Sequence, residues 1–129
     1  MLKSGILNPA INSLLSRVRH TNMLVIADRG FPYWNDIEIV DISLVDDMPT
    51  VLQVLAAIRQ KYVIGKIYMA EEFKQVNTDD TQTTFTHAMQ DIAVQYESHE
   101  MLKKRVPEAT GLIRTGDTIQ YANMILVSA

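Results

Sequence analysis

Met23-Leu24-Val25-Ile26-Ala27-Asp28-Arg29-Gly30 is the stretch that decides the architecture. Five consecutive apolar residues are too few for a helix and too continuous for a strand with one wet face, so the run reads as a strand buried on both sides. Asp28-Arg29-Gly30 ends it and leaves a carboxylate at the strand's carboxyl end. Upstream, Asn8-Pro9 is a helix start, because Asn accepts from orphan amides and Pro loses nothing at the first helical position. Ile11, Leu14, Leu15 and Val18 then give one apolar face, and the helix should end near Arg19-His20.

Downstream, Phe31-Pro32-Tyr33-Trp34-Asn35-Asp36 is an aromatic loop and residues 37–42 alternate as a second strand. Asp47 and Pro49 are expected to open a helix whose Val51, Val54, Leu55, Ile58 and Tyr62 keep helical spacing. Residues 64–70 form a third strand. Over 71–90, Asn77-Thr78-Asp79-Asp80 interrupts the pattern and 81–86 has poor helix propensity, so helical pieces around a loop are expected. Residues 92–97 read as a strand, Ser98 caps a short helix over 99–106, and Pro107 lies just past it. Two terminal strands, 111–115 and 121–127, flank the turn signal Gly116-Asp117. Strands alternating with helices predict a three-layer α/β/α fold around a mostly parallel mixed sheet, with the C-terminal strands as its antiparallel exception.

Composition narrows the function. The 129 residues suit a single domain spanning 1–129, and 47% hydrophobic with 21% charged residues is ordinary for a folded protein. A net charge of −3, with Lys and Arg scattered, offers no field for phosphate backbones, so nucleic acid is not expected as a partner. Cysteine is absent, which removes disulfides and thiolate metal sites and fits a reducing compartment. The longest apolar runs are strand-sized, so neither export nor membrane spanning is indicated and a cytoplasmic location is expected.

Ligands of such sheets bind beyond the carboxyl ends of strands, which draws attention to polar residues at element ends. His20 follows the first helix, Asp28 the first strand, His99 begins a short helix, and Tyr121 and Asn123 stand near the C-terminus. Each has an ordinary reading: a surface histidine, a turn or cap aspartate, a strand residue with its tip in water. His87 reads as structural. Arg29, Asp41, Asp46-Asp47 and Glu71-Glu72 read first as solvated charges or helix starts. No HExxH-like ligand spacing and no glycine-rich nucleotide loop is present, so neither metal nor cofactor is expected.

Taken in order, Leu7-Asn8, Arg19-His20-Thr21, Asp28-Arg29-Gly30-Phe31-Pro32, Asp41-Ile42-Ser43-Leu44, the run from Pro49 to Leu55, Ala70-Glu71-Glu72, Ser98-His99-Glu100, Ile113-Arg114-Thr115-Gly116-Asp117 and the run from Tyr121 to Leu126 resemble the D-ribose pyranase and L-fucose mutarotase family, closer to the pyranase branch. The resemblance spans nearly the whole chain. It implies a cofactor-independent isomerase that interconverts ring or anomeric forms of a monosaccharide, a pentose such as D-ribose first. It further implies His20 as proton donor, with Asp28, His99 and the Tyr121-Ala122-Asn123 segment holding the sugar, and a homo-oligomer, a pentameric ring or decamer, whose sites lie at subunit interfaces. A mild role in shaping the site extends to Glu71 and Glu72. His99 at a helix start would tend to stay neutral, as binder or base.

Departures from the family pattern concentrate after Asp28. Arg29 replaces a small residue and Tyr33-Trp34 follow the turn, so an anionic group could meet Arg29 and an aromatic ring could stack on a sugar. Equally, Arg29 could be solvated or bridge subunits. Residues 76–90 are also fewer than in pyranases. Two rival readings stay open: a non-catalytic sugar-binding protein serving transport or regulation, and a structural ring-forming subunit.

Overall fold

In the computed structural model, which describes residues 1–129, the elements follow the order α1 (Pro9–Arg17), β1 (Met23–Ala27), β2 (Glu38–Asp41), α2 (Val51–Arg59), β3 (Ile64–Ala70), α3 (Glu72–Val76), α4 (Asp79–Ala88), β4 (Ala93–Glu97), α5 (His99–Arg105), a 3-10 turn (Val106–Glu108), β5 (Gly111–Arg114) and β6 (Met124–Ser128). Asn8 caps α1 as its residue type requires, its Oδ1 accepting the Ile11 amide at 3.0 Å ahead of Pro9. The start of α2 differs from expectation. Thr50, not Asp47 or Pro49, is its cap, in a reciprocal box with Gln53, while Asp47 turns with φ of +62° before a cis Met48–Pro49 peptide.

The sheet runs β2-β5-β1-β6-β3-β4. Strand β1 pairs in parallel with β5, β5 with β2, and β3 with β4, whereas β6 runs antiparallel to both of its neighbours, β1 and β3. The expected antiparallel exception is thus β6. It does not pair with β5, because β1 lies between them and residues 115–123 cross over the end of β1 to join the two. Strand β6 also begins later than expected, at Met124; Tyr121, Ala122 and Asn123 belong to the turn that feeds it.

Alternation along each strand sorts the core into two faces. Leu24, Ile26, Ile67, Met69, Ile113, Met124 and Leu126 pack with Leu14 of α1, Leu55 and Ile58 of α2 and Phe85 of α4. Val25, Ala27, Ala70, Leu112 and Ile125 pack with Leu102 of α5, Val106 and Phe31. These are the three layers. Within 71–90 the weak propensity of 81–86 is overridden: Thr78 caps α4, and Phe85 lies against Phe73 with ring centres 4.7 Å apart. Only Asn77 and Thr78 separate α3 from α4. No helix is long and apolar enough to cross a membrane.

Candidate active site

Parallel strands leave the sheet at one edge, and the antiparallel strand enters at that same edge. Asp28 follows β1, Glu71 follows β3, Ser98 and His99 follow β4, and Asn123 immediately precedes β6. The topology therefore gathers groups from positions 28, 99 and 121–123. A hollow of about 330 Å³ opens there, walled by Asp28, Phe31, His99, Gln120, Tyr121 and Asn123. A larger open groove, about 620 Å³, runs along α4 past Asp79 and His87. It has no apolar wall, and no buried polar group converges on it, so its size carries no chemistry.

Asp28 is held on both sides of its backbone. Its amide donates to Asn123 Oδ1 at 2.8 Å, and its own Oδ1 accepts the Gly30 amide at 3.0 Å in an Asx turn. Partial burial pushes the Asp28 carboxyl above its ordinary value, against the pull of the Gly30 and Phe31 amides and the Asn123 side chain, with the Asp117 charge adding to the rise. Asn123 is 2% exposed, an acceptor fixed in the wall.

His99 is the first residue of α5. Ser98 caps that helix through the Met101 amide at 3.2 Å, and the Glu72 carboxylate accepts the His99 amide at 3.0 and 3.1 Å. The imidazole meets the Tyr121 and Phe31 rings edge-on, with centres 5.1 and 5.8 Å away. Its Nδ1 is buried without a hydrogen-bond partner. Burial first, then repulsion from Lys103, holds the His99 pKa below the usual imidazole value, against the opposing charges of Glu72, Glu100 and Asp28. Burial, the leading cause, moves the His99 pKa in the direction expected from its place at a helix start. Tyr121 sits in the left-handed region at φ of +58°, which aims it at His99 from a turn, not from a strand. Ala122 is fully buried and packs into the core.

His20 is not part of this hollow. It lies exposed in the turn between α1 and β1, beside the Thr21 amide that donates to the Ser128 carbonyl at 3.0 Å, at the amino edge of β1. The five residues of β1 alone separate it from Asp28 by about 17 Å at about 3.3 Å per residue. Within one chain, residues 20 and 28 therefore stand at opposite ends of the same strand. Arg29 is occupied too, ion-paired with Asp46 at 2.8 Å, and neither Tyr33 nor Trp34 lines the hollow. Trp34 instead packs beside Phe31, with ring centres 6.4 Å apart.

Sequence reasoning missed Gly30, Phe31, Pro32 and Gln120 as wall residues. The aromatic loop after Asp28 and the turn before β6 were the available signals. No three His, Asp or Glu side chains stand close enough together to hold a metal ion. What remains is a neutral imidazole, a carboxyl with a raised pKa, a phenol and amide dipoles around a volume at the small end of the roughly 300–1,000 Å³ usual for small-molecule sites.

Comparison with known proteins identifies the family and the fold. The model of the RbsD / FucU transport protein family matches residues 1–129. D-ribose pyranases of Geobacillus thermodenitrificans and Geobacillus kaustophilus are 40% and 41% identical, each over 99% of this chain and 96% and 93% of their own. Among solved structures, Bacillus subtilis RbsD complexed with D-ribose superposes with a TM-score of 0.91 at 30% identity, covering 100% of this chain and 98% of that one. The fucose mutarotase of Streptococcus pneumoniae, in complex with L-fucose, has the same fold at a TM-score of 0.80 and 20% identity, over 99% and 98% of the two chains. With a family match along its whole length and relatives at this level of identity, the chain belongs to the RbsD / FucU family.

Proposed function

We propose that the protein is a sugar mutarotase that interconverts the ring forms of a pentose, D-ribose first, without a cofactor. The observation that carries the reading is the convergence of Asp28, His99, Tyr121 and Asn123 on one hollow of monosaccharide scale. Ring opening needs a proton delivered to the ring oxygen and another withdrawn from the anomeric hydroxyl, then the reverse after rotation; one well-placed proton-transfer group contributes about 10² to 10⁴ in rate. Burial raises the Asp28 carboxyl toward the operating pH and lowers the His99 imidazole, which favours its proton-accepting neutral form. The Asn123 amide and Tyr121 phenol supply donors and acceptors for hydroxyls.

His20 enters this scheme as proton donor from a neighbouring copy, since its own chain holds it at the far edge of the sheet. A ring of subunits, pentameric or stacked as a decamer, would bring the two edges together. Leu44, Val45 and Met48 support that assembly: they are 74%, 59% and 53% exposed on a loop pinned by Leu44 to Met48 and Asp47 to Gly116 backbone bonds. Saturation-transfer NMR on D-ribose tests the reading. Exchange between pyranose and furanose signals should be enhanced by the protein and lost in His20→Ala and Asp28→Asn; no enhancement for any pentose ends it. A second reading, sugar binding without exchange, is favoured by the transport description of the family model and by the distance of His20 from the hollow. Binding of D-ribose with no acceleration would select it.

A further inference from the structure

Arg114, the last residue of β5, is only 8% exposed and belongs to none of the ion pairs of the chain. A guanidinium is always charged, and burying it without an anion is costly unless its donors are satisfied. Both terminal nitrogens donate to backbone. Nη1 donates to the Asp28 carbonyl at 3.1 Å and the Arg29 carbonyl at 3.4 Å, and Nη2 to the Pro32 carbonyl at 3.1 Å. These three carbonyls belong to the loop whose opposite side, at Asp28, Gly30, Phe31 and Pro32, forms a wall of the hollow.

Neighbouring bonds tie the same two segments, in both directions. Thr115 Oγ1 donates to the Ala27 carbonyl at 2.8 Å, and the Arg29 amide donates to the Asp117 carbonyl at 3.1 Å. The backbone of Asp28 is therefore gripped at its amide by Asn123 and at its carbonyl by Arg114. Arg114 does not itself line the hollow.

We propose that Arg114 is a positioning residue: its guanidinium clamps the 28–32 loop, sets the angle of the Asp28 carboxylate, and so fixes the wall against which the sugar binds. The sugar half of this statement rests on the function proposed above. A rigid planar fork can reach three carbonyls spread over five residues; the single ammonium of lysine cannot.

Two readouts on the full-length assembled protein test it. Trp34 is the only tryptophan of the chain and lies two residues beyond the clamped Pro32, so acrylamide quenching of its fluorescence reports the loop with no sugar present. In Arg114→Lys, quenching should rise, and the KM for D-ribose should increase by about tenfold or more with a smaller change in kcat, within the range that a misplacement of about 1 Å produces. Wild-type quenching in Arg114→Lys, or raised quenching with an unchanged KM, overturns the proposal. Should that variant not fold, NMR of the wild type decides: Arg114 Nη hydrogens must be resolved and slow to exchange, and rapidly averaged signals overturn the clamp. A wild-type protein inert toward D-ribose sinks the sugar reading alone, because quenching still reports the loop.

Discussion

Asn123 and Asp28, 95 positions apart in sequence, are joined by a 2.8 Å hydrogen bond from the Asp28 amide to the Asn123 side-chain oxygen. The bond exists because β6 enters the sheet where β1 leaves it, side by side and antiparallel. It ties the first element of the site to the last, and it spends the oxygen of a buried amide on backbone. The nitrogen of that amide is left to the carboxylate and to a ligand.

Replacing Asn123 separates these two jobs. Asn123→Ala leaves the Asp28 amide without its partner, at a cost of about 1–3 kcal/mol in urea unfolding. Asn123→Asp keeps an acceptor for that amide but sets a second anion beside Asp28, so the fold should survive with D-ribose binding lost. Thermal shift with and without D-ribose checks the pair: Asn123→Asp that still responds to the sugar would contradict the site.

Acidification should weaken the protein through His99. Its folded pKa lies below the free value of 6.5, so between those two values the unfolded chain binds a proton that the folded chain refuses. Stability contributed by His99 is complete above pH 6.5 and falls as the pH drops toward the folded pKa. Asp28 acts oppositely and lower, because its folded pKa lies above 3.8 and protonation there favours the folded state. Urea unfolding of wild type and His99→Gln from pH 4 to 8 should show an acid-side loss in the wild type that the variant lacks.

Legibility of the fold in the sequence tracked how local each signal was. The run from Met23 to Ala27 and the Asn8-Pro9 cap identified β1 and α1 because both depend on adjacent residues. The order of strands does not. Gly116-Asp117 marked a turn, yet whether the flanking strands pair depends on β1 occupying the gap, a contact nearly ninety residues away in sequence, as the Ile26 to Ile113 register shows. The same limit applied to the site. Asp28, His99, Tyr121 and Asn123 were legible as polar groups at element ends, and the fold brings them together. His20 satisfied the same rule at the opposite edge, because an element end says nothing about which edge of the sheet it faces. Arg114 entered the sequence reading only within a motif, since a buried arginine bound to carbonyls looks in sequence like any charged residue at the end of a strand.

Glu72 should tune His99 without touching the sugar. Its carboxylate accepts the His99 amide and its charge raises the imidazole pKa, so Glu72→Gln keeps an acceptor while removing the charge. The His99 pKa should then fall further, which NMR titration of the imidazole reads directly. A rise would mean that another charge dominates. Loss of the α3 anion that faces the amino end of α5 should cost about 0.3–1 kcal/mol besides.

Arg29 is the residue that raised the prospect of an acidic sugar, and its surroundings argue against one. Its guanidinium is held by Asp46 at 2.8 Å, the two side chains 58% and 64% exposed, and the amides nearby are taken: Gly30 by Asp28, Thr118 by Asp47, Ile119 by Asp117. An anion arriving there would meet a cation already paired with Asp46 and the carboxylates of Asp28 and Asp117 close by. An exposed pair of this kind contributes about 0–1 kcal/mol. Arg29→Ala should therefore leave the D-ribose response in thermal shift and NMR exchange unchanged within about fivefold, the ratio that 1 kcal/mol allows. Ribose 5-phosphate and uronic acids should produce no shift with either protein. Binding of an acidic sugar by wild type that disappears in Arg29→Ala would reverse this assignment and make Arg29 the selector of a charged substrate.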